Sequence, residues 1–176
     1  MKKKWKWKRK PSIYLDTNIF SSLCYRGGAT VAWIRQLKTA EWWELERKNY
    51  SLFTSRHTED ELSDGHYNNQ IAAIAAAKRI EYLEMTADVF EYYSIIVDAG
   101  LFPPTEYADA LHLAISTFHR IDYLLTWNQA HLANVVVQKK LESVVQKNGW
   151  KSPLLVSPDS IPWASMGQAI RRKNND

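Results

Sequence analysis

The stretch "YLDTNI", residues 14–19, decides the fold prediction, because an apolar run ends there on a carboxylate followed by two small polar residues. The preceding residues "SIYL", 12–15, are aliphatic and aromatic, as in a buried strand. Asp16 therefore closes a predicted strand. It either caps the helix that follows or is one of several acids brought to the same place.

Strand-like and helix-like segments alternate along the rest of the chain. Gly100 ends one of the predicted helices, and Thr86 is its candidate N-cap. The further strands are predicted at residues 51–54, 80–85, 122–126 and 153–156, and the helices at residues 30–50, 68–79, 87–99, from the prolines 103 and 104 to about 119, and 131–147. This alternation predicts right-handed βαβ units, and so an α/β protein with a mostly parallel sheet.

Length and composition favour one globular domain. The 176 residues, 45% of them hydrophobic, can bury a single core. We expect this domain at residues 11–160, between a basic arm at 1–10 and a tail at 161–176. The single cysteine, Cys24, excludes an internal disulfide, and no run of 18 apolar residues occurs. We therefore expect a cytoplasmic protein without a membrane span.

The net charge of +4 is concentrated in the arm, since "KKKWKWKRK" at residues 2–10 holds seven of the 23 basic residues. The other 16 basic residues face 19 acidic ones, so the rest of the chain has a net charge of −3. Lysines interleaved with tryptophans can bind nucleic acid by phosphate neutralisation and base stacking. The same arm could bind anionic lipid or be a solvated tail.

Four polar side chains should meet at one edge of the sheet. Asp16 ends the first strand, Glu61 is expected in the opening turn of the helix after the second, Asp109 lies about one turn into a later helix, and Asn128 follows the fourth strand. In open α/β sheets, ligands bind at the carboxyl ends of the strands, where the strand order reverses. The pattern therefore predicts a common site.

Each of these residues also has a structural explanation. Asp16 and Asn128 could cap helices, and Glu61 could complete a capping box with Thr58. Asp109 fits that explanation less well, because its helix is apolar over most of its circumference, and a buried carboxylate is costly unless it is paired or metal-bound. Clustered acids repel each other, and a hard divalent cation such as Mg²⁺ or Mn²⁺ removes that repulsion. Such a site suits hydrolysis of phosphodiesters.

The segments "YLDTNIF" (14–20), "TEDEL" (58–62), "DALHLA" (109–114) and "LLTWNQAHLAN" (124–134), in this order and spacing, resemble the PIN domain, and more closely the VapC-type toxins of type II toxin–antitoxin systems. The resemblance covers about residues 12–158. It implies an α/β/α sandwich, Mg²⁺- or Mn²⁺-dependent endoribonuclease activity on RNA, and often a homodimer inhibited by an antitoxin protein. It assigns metal binding to Asp16, Glu61 and Asp109, a fourth catalytic position to Asn128, and a supporting role to Asn18 and Thr126.

The resemblance has two departures. Many family members carry an aspartate where Asn128 stands. Because an amide is a weaker ligand, a second metal ion would be held less firmly, which favours a single metal ion or substrate-assisted binding. The second acid is chosen as Glu61 from four nearby acids because Leu62 follows it as in the motif. Two alternatives to the ribonuclease remain: a PIN-fold binding module without catalysis, and a nuclease that cleaves DNA.

Other patterns are less specific. His57 and Glu61 at i, i+4, with His66 nearby, are compatible with zinc, although no third ligand is fixed by the spacing. His112 is either a hydrogen-bonded core residue or a contact to substrate or water. The sequence contains neither the serine-hydrolase motif nor the P-loop motif.

Three tryptophans share one predicted helix. Trp42 and Trp43 are about 100° apart on a helical wheel, so these two and Trp33 cannot all face the core. We expect at least one exposed tryptophan, either at a dimer or antitoxin contact or packed against the N-terminal arm.

Overall fold

The computed structural model of the chain describes residues 9–130, 132 and 135–163. Most of the predicted basic arm (1–8), the tail from residue 164, and residues 131, 133 and 134 of the predicted last helix lie outside this range. Of the arm, Arg9 forms an ion pair with Asp122 at 3.3 Å, and Lys10 donates to the carbonyl of Lys48 at 2.7 Å.

The described residues form five strands and seven α-helices, as the alternating pattern predicts. In chain order these are β1 (Ser12–Leu15), α1 (Thr17–Leu23), α2 (Thr30–Leu45), β2 (Ser51–Ser55), α3 (Arg56–Asp64), α4 (Gln70–Ala77), β3 (Glu81–Leu83), α5 (Ala87–Asp98), α6 (Tyr107–Phe118), β4 (Tyr123–Leu125), α7 (Val135–Asn148) and β5 (Leu154–Val156). Among these helices none is long and apolar enough to cross a membrane.

The sheet is parallel in all four of its pairings and has the strand order β3-β2-β1-β4-β5. The chain leaves β1 toward β2 on one side and later returns to pair β4 on the other. The strand order therefore reverses between β1 and β4, and the ligand crevice of an α/β sheet is expected at their carboxyl ends.

Alternation of side chains along β1 produces a hydrophobic core on each face of the sheet. Tyr14 points into a core built with α5, α6 and α7, whereas Ile13 and Leu15 point into a second core built with α1 to α4. All three side chains are fully buried. Helices on both faces make the three-layer α/β/α sandwich, so the predicted fold class is confirmed.

Several element bounds differ from the prediction. The expected helix at 30–50 ends at Leu45 and continues as a 3₁₀ turn, Arg47–Asn49, because Tyr50 is already extended to enter β2. The expected helix at 68–79 begins only at Gln70, since Asn69 has a φ of 70°. Thr86 occupies the predicted N-cap position, but its side chain makes no capping hydrogen bond. β3 is an edge strand of only three residues.

The tryptophans of α2 divide as expected. Trp42 is fully buried and Trp43 nearly so, whereas Trp33 is 51% exposed. Trp33 lies among three further exposed apolar side chains of α2, namely Val31, Ile34 and Leu37. The prediction of at least one exposed tryptophan is confirmed, and the exposed residue belongs to an apolar stripe.

Candidate metal centre

The register of the sheet places Asp16 beside Thr126. Leu15 pairs with Leu125, and the Asp16 amide donates to the Leu125 carbonyl at 3.1 Å, so the next residues of the two strands emerge together. The Thr126 hydroxyl donates to Asp16 Oδ2. Asp16 occupies the N-cap position of α1, but its side chain makes no capping hydrogen bond. Its carboxylate, 2% exposed, is therefore directed to the sheet edge.

Asn18 links the carboxyl ends of β1 and β4 through three hydrogen bonds. Its Nδ2 donates to Asp16 Oδ2 at 2.6 Å and to Thr126 Oγ1 at 2.9 Å, while its Oδ1 accepts from the Trp127 amide at 2.7 Å. Asn18 thus bridges the ends of β1 and β4 and fixes one oxygen of Asp16. Trp127 is not among the site residues predicted from the sequence, although it directly follows Thr126, the polar residue after β4.

Glu61 is the sixth residue of α3, so the prediction that it lies in the opening turn of this helix is wrong. Ser55 is the N-cap and accepts from the Thr58 amide at 3.4 Å, so the alternative capping box of Thr58 and Glu61 is wrong. Glu61 Oε2 instead accepts hydrogen bonds from Thr17 Oγ1 and, at 2.7 Å, from His112 Nε2. Burial opposes the charge on Glu61, but the hydrogen bond and charge of His112 outweigh it and lower its pKa to about 2.

His112 lies between two of the acids. Its Nε2 is 2.7 Å from Glu61 Oε2 and 3.3 Å from Asp16 Oδ1, and its Nδ1 is 2.9 Å from the Tyr14 hydroxyl. The side chain is 1% exposed. Burial alone would lower the pKa of His112, but Tyr14, Asp16 and Glu61 together raise it well above its usual value. His112 is therefore both a core residue and part of the acidic site.

Asp109, in the first turn of α6, and Asn128 contact each other. Asn128 Nδ2 donates to Asp109 Oδ2 at 2.7 Å, and the Asn128 amide donates to Thr126 Oγ1 at 2.9 Å. Asp109 is 9% exposed. Burial, followed by the negative charge of Asp16, raises the pKa of Asp109 to about 7. Asn128 and Thr126 thus link Asp109 to the residues around Asp16, whose charge disfavours ionisation of Asp109.

His57 completes a second group of donors. One ligand atom each from His57, Glu61 and His112 lie within 4.8 Å of one another, and the rings of the two histidines are 4.6 Å apart. Burial, followed by the charge of His112, lowers the pKa of His57. The sequence offered His66 as the nearby histidine, but His66 is exposed on the segment after α3 and is not a member of this group.

The donor set fits a hard divalent cation. Hydrogen bonds among the described residues hold Oδ2 of Asp16, Oε2 of Glu61 and Oδ2 of Asp109. The other oxygens of two of these acids, Glu61 Oε1 and Asp109 Oδ1, accept no hydrogen bond from a described residue. Anchored carboxylates with a second oxygen available are typical of Mg²⁺ and Mn²⁺ sites. The raised pKa of Asp109 reflects burial and then repulsion by Asp16, and a bound cation would offset both by stabilising the carboxylate.

Comparison with known proteins defines the fold. No family model and no characterised protein matches the sequence. Among solved structures, VapBC2 from Rickettsia felis, bound to a fragment of promoter DNA, matches at 17% identity over 82% of this chain and 97% of its own, with a TM-score of 0.51. FitAB bound to the IR36 DNA fragment matches at 14% identity over 85% of this chain and 97% of its own, with a TM-score of 0.52. The chain therefore has the fold of the PIN-domain toxin–antitoxin proteins, which the sequence motifs predicted.

Proposed function

We propose that the protein is a metal-dependent endoribonuclease in which Asp16, Glu61 and Asp109 bind Mg²⁺ or Mn²⁺ directly or through water. The contacts that join the three acids support the proposal: His112 Nε2 contacts both Asp16 and Glu61, and Asn128 contacts Asp109 and, through Thr126, is linked to Asp16. Burial, followed by the charge of Asp16, raises the pKa of Asp109. The fold of the solved neighbours is consistent with this function.

When bound, the metal ion supplies positive charge for the scissile phosphate and makes a bound water more acidic. The residues of the chain supply orientation. Asn18 and Thr126 hold one oxygen of Asp16, and Asn128 holds one oxygen of Asp109. We assign His112 to positioning Asp16 and Glu61, since it touches both and is itself held by Tyr14. Preorganised ligands of this kind reduce the reorganisation needed to reach the transition state.

The decisive experiment replaces Asp16 by asparagine. We expect Asp16→Asn to abolish cleavage of single-stranded RNA in Mg²⁺ or Mn²⁺ while the circular-dichroism spectrum and melting temperature stay close to those of the native protein. Asp98→Asn, an exposed acid at the end of α5, is the matched control and should cleave normally. Cleavage that survives in Asp16→Asn would count against the proposed metal site.

Two controls distinguish the alternatives. If the native protein binds RNA but cleaves none in either metal, the chain is a binding module with the PIN fold. A parallel digestion of single-stranded DNA decides the substrate. Cleavage of DNA alone would contradict the ribonuclease proposal and identify the protein as a deoxyribonuclease.

We further propose an antitoxin protein as the partner. Its support is twofold: the solved neighbours VapBC2 and FitAB are toxin–antitoxin proteins, and α2 exposes an apolar stripe of Val31, Trp33, Ile34 and Leu37. If a small protein encoded beside the gene co-purifies with the chain, Trp33→Glu should weaken that association, whereas Phe90→Glu, at an exposed apolar residue on α5, should not. A second copy on the same stripe would instead appear as a dimer that Trp33→Glu dissociates in light scattering.

A further inference from the structure

We propose that Arg35 forms a phosphate-binding subsite beside the metal centre, where it contacts a backbone phosphate of the RNA next to the one that is cleaved. This inference rests on the proposed function and extends it to the substrate. An acidic centre repels a polyanion at its entrance, so a nuclease of this design needs a cation near the acids.

Arg35 lies on α2 at a wall shared by two clefts. One cleft, of about 500 Å³, is lined by Arg35 together with Asn18, Trp127 and Asn128. The other, of about 510 Å³, is lined by Arg35 together with Thr17 and Tyr67. Residues that hold the acids therefore border both clefts, and Arg35 borders both as well. A nucleic-acid strand that reaches the metal centre through either cleft passes Arg35.

The guanidinium of Arg35 is held by a fixed aromatic ring. Its central carbon is 5.7 Å from the centre of the Trp127 ring. The Trp127 Nε1 donates to Thr39 Oγ1 at 2.8 Å, and the Thr39 hydroxyl donates to the Arg35 carbonyl at 2.7 Å. Thr39 is fully buried. Because the ring is tied to the backbone of Arg35 itself, the cation stacks on a support that cannot turn independently.

The same tryptophan connects Arg35 with the metal centre. The Trp127 amide donates to Asn18 Oδ1 at 2.7 Å, and Asn18 donates to Asp16 at 2.6 Å. Two hydrogen bonds and one residue therefore separate the support of the guanidinium from the first acid. This continuity fixes the spacing between the cation and the acids, as recognition of two successive phosphates requires.

Arg35 also has no carboxylate partner within the described part of the chain. Arg56 and Lys78, in contrast, both pair with Glu59, at 3.3 and 3.2 Å. A half-buried guanidinium keeps five N–H donors in one plane, and these match phosphate oxygens better than the single ammonium of lysine does. A stacked, unpaired guanidinium that also borders both clefts beside the acids has the features of an anion site.

The test measures RNA binding separately from cleavage. A short fluorescent single-stranded RNA is titrated with the full-length protein in EDTA, and anisotropy is followed at several salt concentrations. We expect Arg35→Ala to weaken RNA binding about tenfold. The plot of log association constant against log salt concentration should become less steep by about 0.7, the value for one phosphate on a single strand. Arg35→Lys should keep the slope and recover part of the affinity.

Arg47→Ala is the matched control. Arg47 also lies over a tryptophan, 5.0 Å from the ring of Trp43. It precedes β2, however, and so lies at the amino ends of the parallel strands, opposite the carboxyl ends that carry the acids. The RNA affinity and the salt slope should be unchanged in Arg47→Ala. Arg35→Gln keeps most of the side-chain stem without the charge, so a loss of affinity like that of Arg35→Ala shows that lost packing is not the cause.

The outcomes separate this inference from the proposed function. If native protein cleaves RNA and Arg35→Ala binds with native affinity and slope, the subsite is overturned while the nuclease stands. If native protein cleaves no RNA but Arg35→Ala still lowers affinity and slope, the subsite stands and the enzyme proposal fails. Equal losses in Arg35→Ala and Arg47→Ala would also overturn the subsite, because the arginines would then act only through general charge.

Discussion

Replacing Asp109 by asparagine should stabilise the metal-free protein at pH 8 and do so to a much smaller extent at pH 5. Asp109 is 9% exposed, and burial together with the charge of Asp16 raises its pKa to about 7. Asparagine has nearly the same shape and keeps an oxygen that can accept from Asn128 Nδ2. The substitution therefore removes the charge without opening a cavity.

The magnitude follows from the difference in pKa between the folded and unfolded chains. An unfolded aspartate has a pKa of 3.8, so between that value and about 7 the folded protein binds more protons than the unfolded one. The free energy of unfolding consequently falls as the pH rises through this window. Each tenfold change in acidity is worth about 1.4 kcal/mol, which sets an upper limit of about 4 kcal/mol. Because water reaches the site, we expect Asp109→Asn to recover about 2 kcal/mol at pH 8.

Urea denaturation in EDTA at pH 5 and pH 8, followed by circular dichroism, measures the effect. Asp98→Asn, on the exposed end of α5, removes the same charge at the surface and should give a small difference that is similar at both pH values. Native protein should gain stability from Mn²⁺ at pH 8, whereas Asp109→Asn should gain little. A variant that is destabilised at pH 8, or is stabilised equally at both pH values, would refute the reasoning.

Three further predictions concern neighbouring residues. Asn128→Asp should tighten Mn²⁺ binding severalfold in titration calorimetry, since a carboxylate replaces a neutral amide, and unchanged affinity would contradict its place at the site. Tyr14→Phe should lower the free energy of unfolding in urea by about 1–2 kcal/mol, because the hydroxyl bonds three buried partners including His112, whereas Tyr123→Phe, which lacks such bonds among the described residues, should change it less. Mn²⁺ should bind more tightly than Mg²⁺ because imidazole nitrogens border the acids. His57→Ala should reduce the ratio of the two affinities in the same calorimetric assay. An unaltered ratio of affinities would exclude His57 as a metal ligand.

The sequence predicts the fold well because the signals are local and repeated. Short apolar strands end on polar residues, and the intervening segments contain good helix formers, so only a parallel sheet satisfies the order of elements. Bounds are less predictable, since they depend on single backbone conformations. Asn69, with its φ of 70°, delays a helix that composition alone would start two residues earlier.

The environment of the candidate site is less visible in the sequence. The polar residues after β1 and β4 could be identified because the register of two parallel strands brings their ends together. The partners of Glu61 could not, since Thr17 and His112 reach it from other helices. Arg35 lies on a helix that carries no site motif, and its relation to Trp127 depends on how α2 packs over the sheet edge.

His112 shows why a local interpretation of one residue is insufficient. On an apolar helix, a histidine is expected either in the core or at a functional site, and the sequence alone presents these as alternatives. In the structure both apply, because the residues that bury His112 are those that form the acidic edge. Tyr14 contacts the ring from the core side of β1, while Asp16, two residues later on the same face of the strand, contacts it from the sheet edge. A change in core packing at Tyr14 should therefore alter the candidate metal centre, because its hydroxyl holds the histidine that contacts both Asp16 and Glu61.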